Sequence, residues 1–374
     1  MILNMRERRI GKGERVALFL VTGGCGFIGS HLCDALVARG DGVRVIDDLS
    51  TGFIANLPPE AEFLHGDVCD TSLVDAAADG VDGVFHLAAI ASVERGLREW
   101  VHTNRVNLGG TIAVLDAVRK RRPGVRVVYA SSAAVYGDCA SLPIRESAGT
   151  HPLSAYGADK LGSELHARVA TRTHGIPTVG LRFFNVYGPR QNPASPYSGV
   201  ISIFADRLRR HEGVTVFGDG LQTRDFVYVG DVVAALLQAM TVPLSDAAVF
   251  NVCTGRAVTL RRLVSLIAAL SGAAPTMRSA PAREGDIRHS VGSRVSARRS
   301  LRLPPATPLR AGLAALLAQA GDAAGGHSNR HAAHPISAHS ATDPAIITAM
   351  AERQLSFSSP RRNRARMASN EGRS

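Results

Sequence analysis

Apolar residues fall into short runs that end in glycine, serine or an acid, and between them lie longer stretches with helical spacing. The run Val16-Ala-Leu-Phe-Leu-Val-Thr22 stops at Gly23-Gly-Cys-Gly26-Phe-Ile-Gly29, and 30–39 continue as a helix closed by Gly40. Residues 43–47, 61–65 and 81–89 read as second, third and fourth strands, 100–121 as a long helix and 125–130 as a fifth strand. A helix is predicted from an N-cap at Ser154 to about Thr173, with Ala158, Leu161 and Leu165 as its apolar stripe, followed by a strand over 177–183. Strands that alternate with helices imply right-handed crossovers and a parallel sheet.

Beyond Phe183 the alternation breaks. Residues 193–200 are rich in Pro, Ser and Gly and read as a loop; helices are predicted over 201–211, 231–240 and 259–271, and a strand over 249–252. Past about Ala320 the periodicity stops, and 327–374, rich in Ala, Ser, His and Arg, cannot offset the cost of ordering.

Composition changes this picture little. The 374 residues, 45% hydrophobic, suffice for one large core or two linked ones. No apolar run reaches membrane-spanning length, and residues 1–15 lack a signal-peptide core, so a cytoplasmic protein is expected. The net charge is +11, of which +3 lies in 1–15 (five Lys/Arg against Glu7 and Glu14) and +3 in 321–374 (seven Arg against four carboxylates). Basic tails explain that better than a nucleic-acid surface. Five scattered cysteines without CxxC spacing suit reduced thiols rather than a disulfide frame or zinc site. His86 lacks partners at ligand spacing, so no metal is expected.

Four features carry chemistry. The glycines at GxxGxxG spacing let backbone N–H groups and a helix N-terminus approach a pyrophosphate. Asp47 stands about twenty residues on, at a strand end, where a dinucleotide fold holds its ribose carboxylate; the acid repels the extra phosphate of NADP and favours NAD. Ser131 and Ser132 end a strand where open α/β sheets bind ligands. Tyr156 and Lys160 lie one turn apart on one helix face, and a neighbouring cation favours the phenolate, so the pair can take a proton from an alcohol.

TGGCGFIGS at 22–30, DDLSTG at 47–52, GDV at 66–68, HLAA at 86–89, SSAAVYG at 131–137, YGADK at 156–160 and RFFNVYGPRQNP at 182–193 together resemble the extended short-chain dehydrogenase/reductase family, and within it the NAD-dependent UDP-sugar 4-epimerases. Asp48 stands where asparagine is usual and Cys25 where alanine is usual. The resemblance implies an α/β fold: a Rossmann-like doubly wound parallel sheet with a smaller, mostly C-terminal α/β substrate-binding domain. The expected division is a basic leader 1–15, an NAD-binding domain 16–185 to which 231–252 return, a substrate-binding domain 186–230 and 253–320, and a disordered tail 321–374.

By this resemblance Ser132, Tyr156 and Lys160 are catalytic. NAD is expected against Gly23, Gly26, Phe27, Ile28, Gly29, Asp47, Asp48, Leu49, Ser50, Thr51, Gly52, Asp67, Val68, Leu87, Ala88, Ala89, Asn107, Tyr156, Lys160 and Phe183. The UDP-sugar is expected against Ser132, Tyr156, Asn185, Val216, Phe217, Arg224, Arg283, Asp286 and Ser290. Arg224 and Arg283 would hold phosphate and Asp286 a ribose hydroxyl; the plainer reading of Arg224 is an ion pair with Asp225. Ser290 falls where some members carry tyrosine, leaving room for an N-acetyl group.

The implied activity is 4-epimerisation of UDP-glucose/UDP-galactose or of their N-acetylated forms through a 4-keto intermediate. Ala133 and Ala134 follow Ser132 where dehydratases place acids. A UDP-glucuronate 4-epimerase, or another nucleotide-sugar dehydratase or decarboxylase, is the alternative, and a non-catalytic NAD-binding regulator the distant one. The family implies a homodimer packed through the helix near 103–121 and the Tyr156 helix; no membrane or nucleic-acid partner is expected.

Overall fold

A computed structural model describes residues 9–10, 14–193, 199–244, 247–282 and 286–325. Its centre is a sheet of β1 (Leu18–Thr22), β2 (Gly42–Asp47), β3 (Glu62–His65), β4 (Gly83–His86), β5 (Arg126–Ser132), β6 (Thr178–Phe183) and a late strand, Ala248–Val252. The order across the sheet is β3-β2-β1-β4-β5-β6 and then the late strand, with every pair parallel. Crossover helices cover both faces, so the strands are apolar on both sides. Phe19 and Val21 face one layer with Leu32 and Leu36 of α1 (Phe27–Ala38) and Val232 and Leu236 of a later helix. Leu20, Ile46 and Val84 face the other, with Val74 of α2 (Thr71–Ala77).

The expected long helix over 100–121 forms, with a π-helical turn within it. Between α3 (Val93–Arg98) and α5 (Gly110–Arg121) lie α4 (Trp100–Asn104) and a π-helical turn over Arg105–Gly109. The wide turn carries Asn107, whose carbonyl accepts the Ile90 N–H at 2.8 Å and whose amide donates to the Ile90 carbonyl at 3.3 Å. A buried amide bonded on both ends pins the chain that leaves β4.

The helix bearing Tyr156 and Lys160 is α6 (Ala155–His174). Ser154 caps it by accepting the Gly157 N–H at 3.1 Å, and Gly175, in the left-handed region, ends it. After β6 the chain forms β7 (Asn185–Tyr187), α7 (Val200–Arg209), β8 (Val214–Phe217), β9 (Thr223–Arg224), β10 (Phe226–Tyr228) and α8 (Val229–Thr241). The late strand Ala248–Val252 is β11; then follow β12 (Val258–Thr259), α9 (Leu260–Ser271), β13 (Met277–Ala280), β14 (His289–Ser290), α10 (Val295–Ser300) and α11 (Leu309–Gly325). α7, α9 and the start of α11 bury Phe204, Leu263, Ile267 and Leu313 around Val214 and Val216, a core separate from the sheet's. β8 pairs β13 in parallel, and β9 lies between β12 and β14. Among the described residues no helix is long and apolar enough to cross a membrane.

Candidate active site

β1 and β4 are neighbours whose crossovers run in opposite directions, and a crevice opens at their carboxyl ends. It is a cavity of about 520 Å³, walled on one side by the glycine turn between β1 and α1. That turn is too tight for side chains: a Cβ on Gly29 would stand 2.1 Å from the Gly23 oxygen, and one on Gly23, at φ +73°, 2.7 Å from the Ala88 nitrogen. Asp47 closes the adjacent end, 8% exposed, with Oδ2 accepting the Cys25 N–H and Oδ1 the Leu49 N–H. Burial pushes its carboxyl above the usual range while these two bonds pull it back. Each oxygen keeps a lone pair for a ribose hydroxyl. Burial also pushes Asp67 up, but bonds from Cys69 and Arg105 bring it below the usual carboxylate range. A cradle that only glycine fits, a helix N-terminus and a buried carboxylate at the end of the second strand suit an NAD-type dinucleotide.

Most residues expected from sequence converge here. Gly23, Gly26, Phe27, Ile28, Gly29, Asp47, Asp48, Ser50, Thr51, Asp67, Val68, Leu87, Ala88, Ala89 and Phe183 line the cavity, as do Ser132, Tyr156, Lys160 and Asn185. Leu49, Gly52 and Asn107 do not. Leu49 serves through its N–H to Asp47, Gly52 packs on Cys25 of the glycine turn, and Asn107 acts through Ile90.

At the opposite end stand Ser132, Tyr156 and Lys160, the three residues expected to be catalytic. Ser132 ends β5, accepts the Ala134 N–H at 3.1 Å and hydrogen-bonds the Tyr156 phenol. Lys160 is buried, with Nζ 5.9 Å from the Tyr156 ring centre. Burial lowers the Lys160 pKa to about 8, against a smaller pull upward from Asp159. Tyr156 is half-buried, its ring toward the cavity; burial raises its phenol, and only the Ser132 bond lowers it. The net shift of the phenol is upward, because the Ser132 bond offsets only part of the effect of burial.

Two buried networks brace this end. His86 meets Thr22 through Nδ1 at 2.8 Å and Thr111 through Nε2 at 3.1 Å. The Thr22 oxygen already accepts the Leu87 and Ala88 N–H groups, so its proton goes to Nδ1 and His86 is the Nε2–H tautomer. Burial drops its pKa to about 3. Behind Ser132, Glu164 accepts the Ser131 hydroxyl at 2.6 Å and a bidentate Arg182 at 2.8 and 2.6 Å. Arg182 also donates to the Tyr136 hydroxyl, which donates to Asn251 of β11.

A second group lies apart from this cavity. Val216 and Phe217 are in β8, Arg224 in β9, and Ser290 of β14 is its register partner. Arg224 pairs with Asp286 at 2.6 Å, and not with Asp225. Asp225 is fully buried and taken by Thr254, Gly255 and Gly292, which leaves no lone pair directed at its neighbour's guanidinium. Arg283 lies outside the described residues. Sequence reasoning missed Arg95, His102 and Gln191, which also line the cavity. Gln191 sits inside the quoted RFFNVYGPRQNP segment, whereas Arg95 and His102 carry no local signal.

Residues 19–253 match the profile of the NAD dependent epimerase/dehydratase family. The UDP-glucose 4-epimerase of Mycolicibacterium smegmatis is 37% identical over 303 residues, 79% of this chain and 96% of that one. The solved UDP-glucose 4-epimerase of Thermotoga maritima, with UDP-glucose, is 36% identical, with a TM-score of 0.79 over 82% of this chain and 99% of that one. The UDP-N-acetylglucosamine 4-epimerase of Methanobrevibacter ruminantium, in complex with UDP-N-acetylmuramic acid, is 31% identical, with a TM-score of 0.79 over 83% and 100%.

Proposed function

This chain belongs to the NAD dependent epimerase/dehydratase family, and we propose that within it the protein reversibly epimerises C4 of a UDP-hexose. The observation that carries the reading is the make-up of the reacting end. Ser132, Tyr156 and Lys160 meet there, Ala133 and Ala134 follow, and the three lining carboxylates, Asp47, Asp48 and Asp67, all stand at the other end. Among the described lining residues, a sugar oxidised at C4 then has no acid beside it to drive elimination at C5 and C6, and reduction on the opposite face follows.

When bound, NAD accepts hydride from C4 and returns it. Tyr156 as phenolate takes the proton of the 4-hydroxyl and gives it back. Ser132 holds the 4-oxygen and relays that proton through its bond to the phenol. Lys160 grips the nicotinamide ribose and adds its positive charge to the pocket. The glycine turn receives the diphosphate, Asp47 the adenosine ribose, and Phe183 borders the nicotinamide. Asn185, Val216, Phe217, Arg224, Arg283, Asp286 and Ser290 form the uridine diphosphate side; a phosphate arriving at Arg224 would replace Asp286, which is then available to ribose. Residues 16–185 with 231–252 make up the NAD-binding part and 186–230 with 253–320 the substrate part.

The sugars favoured are UDP-glucose and UDP-N-acetylglucosamine, the latter because Ser290 is small. Phe183-Phe184-Asn185 argues modestly against UDP-glucuronate. Exposed Leu97, Trp100, Val101, Ile112, Leu165 and Val169 on α3 to α6 support a homodimer through these helices, and five unpaired cysteines support a cytoplasmic setting. The test is direct. Purified protein without added NAD is incubated with UDP-glucose and with UDP-N-acetylglucosamine, and the 4-epimers are resolved chromatographically; no epimer from either sugar overturns the reading.

A further inference from the structure

The charges around the cavity do not match its expected contents. Among the described residues three carboxylates line it, yet a dinucleotide brings two negative charges on its diphosphate. Lys160 is committed to the Tyr156 end, and His102 is an exposed residue at the wall's edge. Among the described lining residues, Arg95 is the cation that stays charged throughout.

Its surroundings aim it. The Arg95 N–H is held by the Ser92 cap at 2.9 Å, and its Nε donates to Glu99 Oε2 at 2.9 Å, one turn on. Nη1 and Nη2 make no hydrogen bond to any other described residue, and 24% of the side chain is exposed. The next residue, Gly96, packs against Ala155 and the Tyr156 nitrogen; a Cβ there would lie 3.7 Å from each. The wall thus begins at Ala88, against Gly23, and reaches Arg95 beside the first turn of α6. That span runs from the diphosphate cradle to the reacting end. With Nε pinned by Glu99, the guanidinium presents one two-nitrogen edge, the geometry that grips an oxyanion bidentately.

We propose that Arg95 is the oxyanion-binding residue of this wall, its Nη1/Nη2 edge taking either a phosphate oxygen of the bound dinucleotide or a carboxylate on the sugar. The proposal rests on the reading that this cavity holds NAD and a nucleotide sugar. Both sources offer the same chemistry, two oxygens sharing negative charge, and they predict different losses.

Arg95→Gln and Arg95→Lys are made in a full-length Tyr156→Phe background, which prevents turnover. Nucleotide-free protein is titrated calorimetrically with NAD, and NAD-loaded protein with UDP-glucose and with UDP-glucuronate. If the partner is phosphate, Arg95→Gln weakens NAD binding about tenfold and leaves UDP-glucose unchanged. If it is carboxylate, the same variant weakens UDP-glucuronate about tenfold relative to UDP-glucose. In either case Arg95→Lys, which keeps the charge but not the fork, restores only part. Affinities within twofold of the parent for all three ligands, or an equal loss for all three, overturn the proposal. If neither UDP-sugar binds the parent, the epimerase reading fails, while the NAD arm still decides the role of Arg95.

Discussion

The ammonium of Lys160 stands over the Tyr156 ring, 5.9 Å from its centre and one turn along the same helix. Burial shifts the two groups in opposite directions, Lys160 down to about 8 and Tyr156 upward.

A pH dependence of stability follows from Lys160. An unfolded lysine keeps its proton to about 10.5, whereas the native one releases it near 8, so between these values the unfolded chain binds more protons and stability rises with pH. Cys25, Cys33 and Cys253, whose buried thiols sit above their ordinary 9.0, act in the opposite sense above that pH. The difference between wild type and Lys160→Met isolates the lysine. Urea midpoints from pH 7.5 to 9 should climb more steeply in wild type than in the variant; parallel curves would contradict the burial argument.

His86 should show at acid pH. Its native pKa is about 3 against 6.5 unfolded, so stability is lost as pH falls from about 6.5 toward 3, where only the unfolded chain takes up the proton. His86→Gln should lose stability at pH 7, on the order of 1–3 kcal/mol for the broken bonds to Thr22 and Thr111. It should also be less acid-sensitive than wild type between pH 6.5 and 4.5, as read by thermal melts.

Arg182→Leu leaves Glu164 buried without its cation and should cost about 3–5 kcal/mol. Arg182→Leu combined with Glu164→Leu should recover much of that. Chemical denaturation of the two singles and the double measures the coupling, and additive losses would contradict it.

Gly29→Ala places a methyl 2.1 Å from the Gly23 oxygen and should empty the protein of NAD, seen as loss of nucleotide released on denaturation. Gly109→Ala, whose Cβ meets nothing within 4 Å, should retain it.

Ser290→Tyr introduces a ring beside Arg224, its partner across β9 and β14. Turnover of UDP-N-acetylglucosamine should fall about tenfold or more while that of UDP-glucose stays within about twofold. Equal losses on both sugars would remove Ser290 from the specificity argument.

What could be read from the chain alone is local. The strand–glycine turn–helix at 18–38, Asp47 at a strand end and the one-turn spacing of Tyr156 and Lys160 depend only on neighbours and helical period, and α/β alternation orders the strands from there. Partners and burial are decided by residues far away in sequence. Arg224 meets Asp286, 62 positions on, and not the adjacent Asp225, because Thr254, Gly255 and Gly292 had already claimed that carboxylate. Asn107 meets Ile90 from a π turn set within the long helix, a local widening that the apolar pattern does not mark. Arg95 looks like a solvated surface charge until α3 is set against α6. The chemistry of Tyr156 was legible as a residue type at a spacing, but the direction of its pKa was not, because desolvation is a property of the packed interior and no local pattern encodes it.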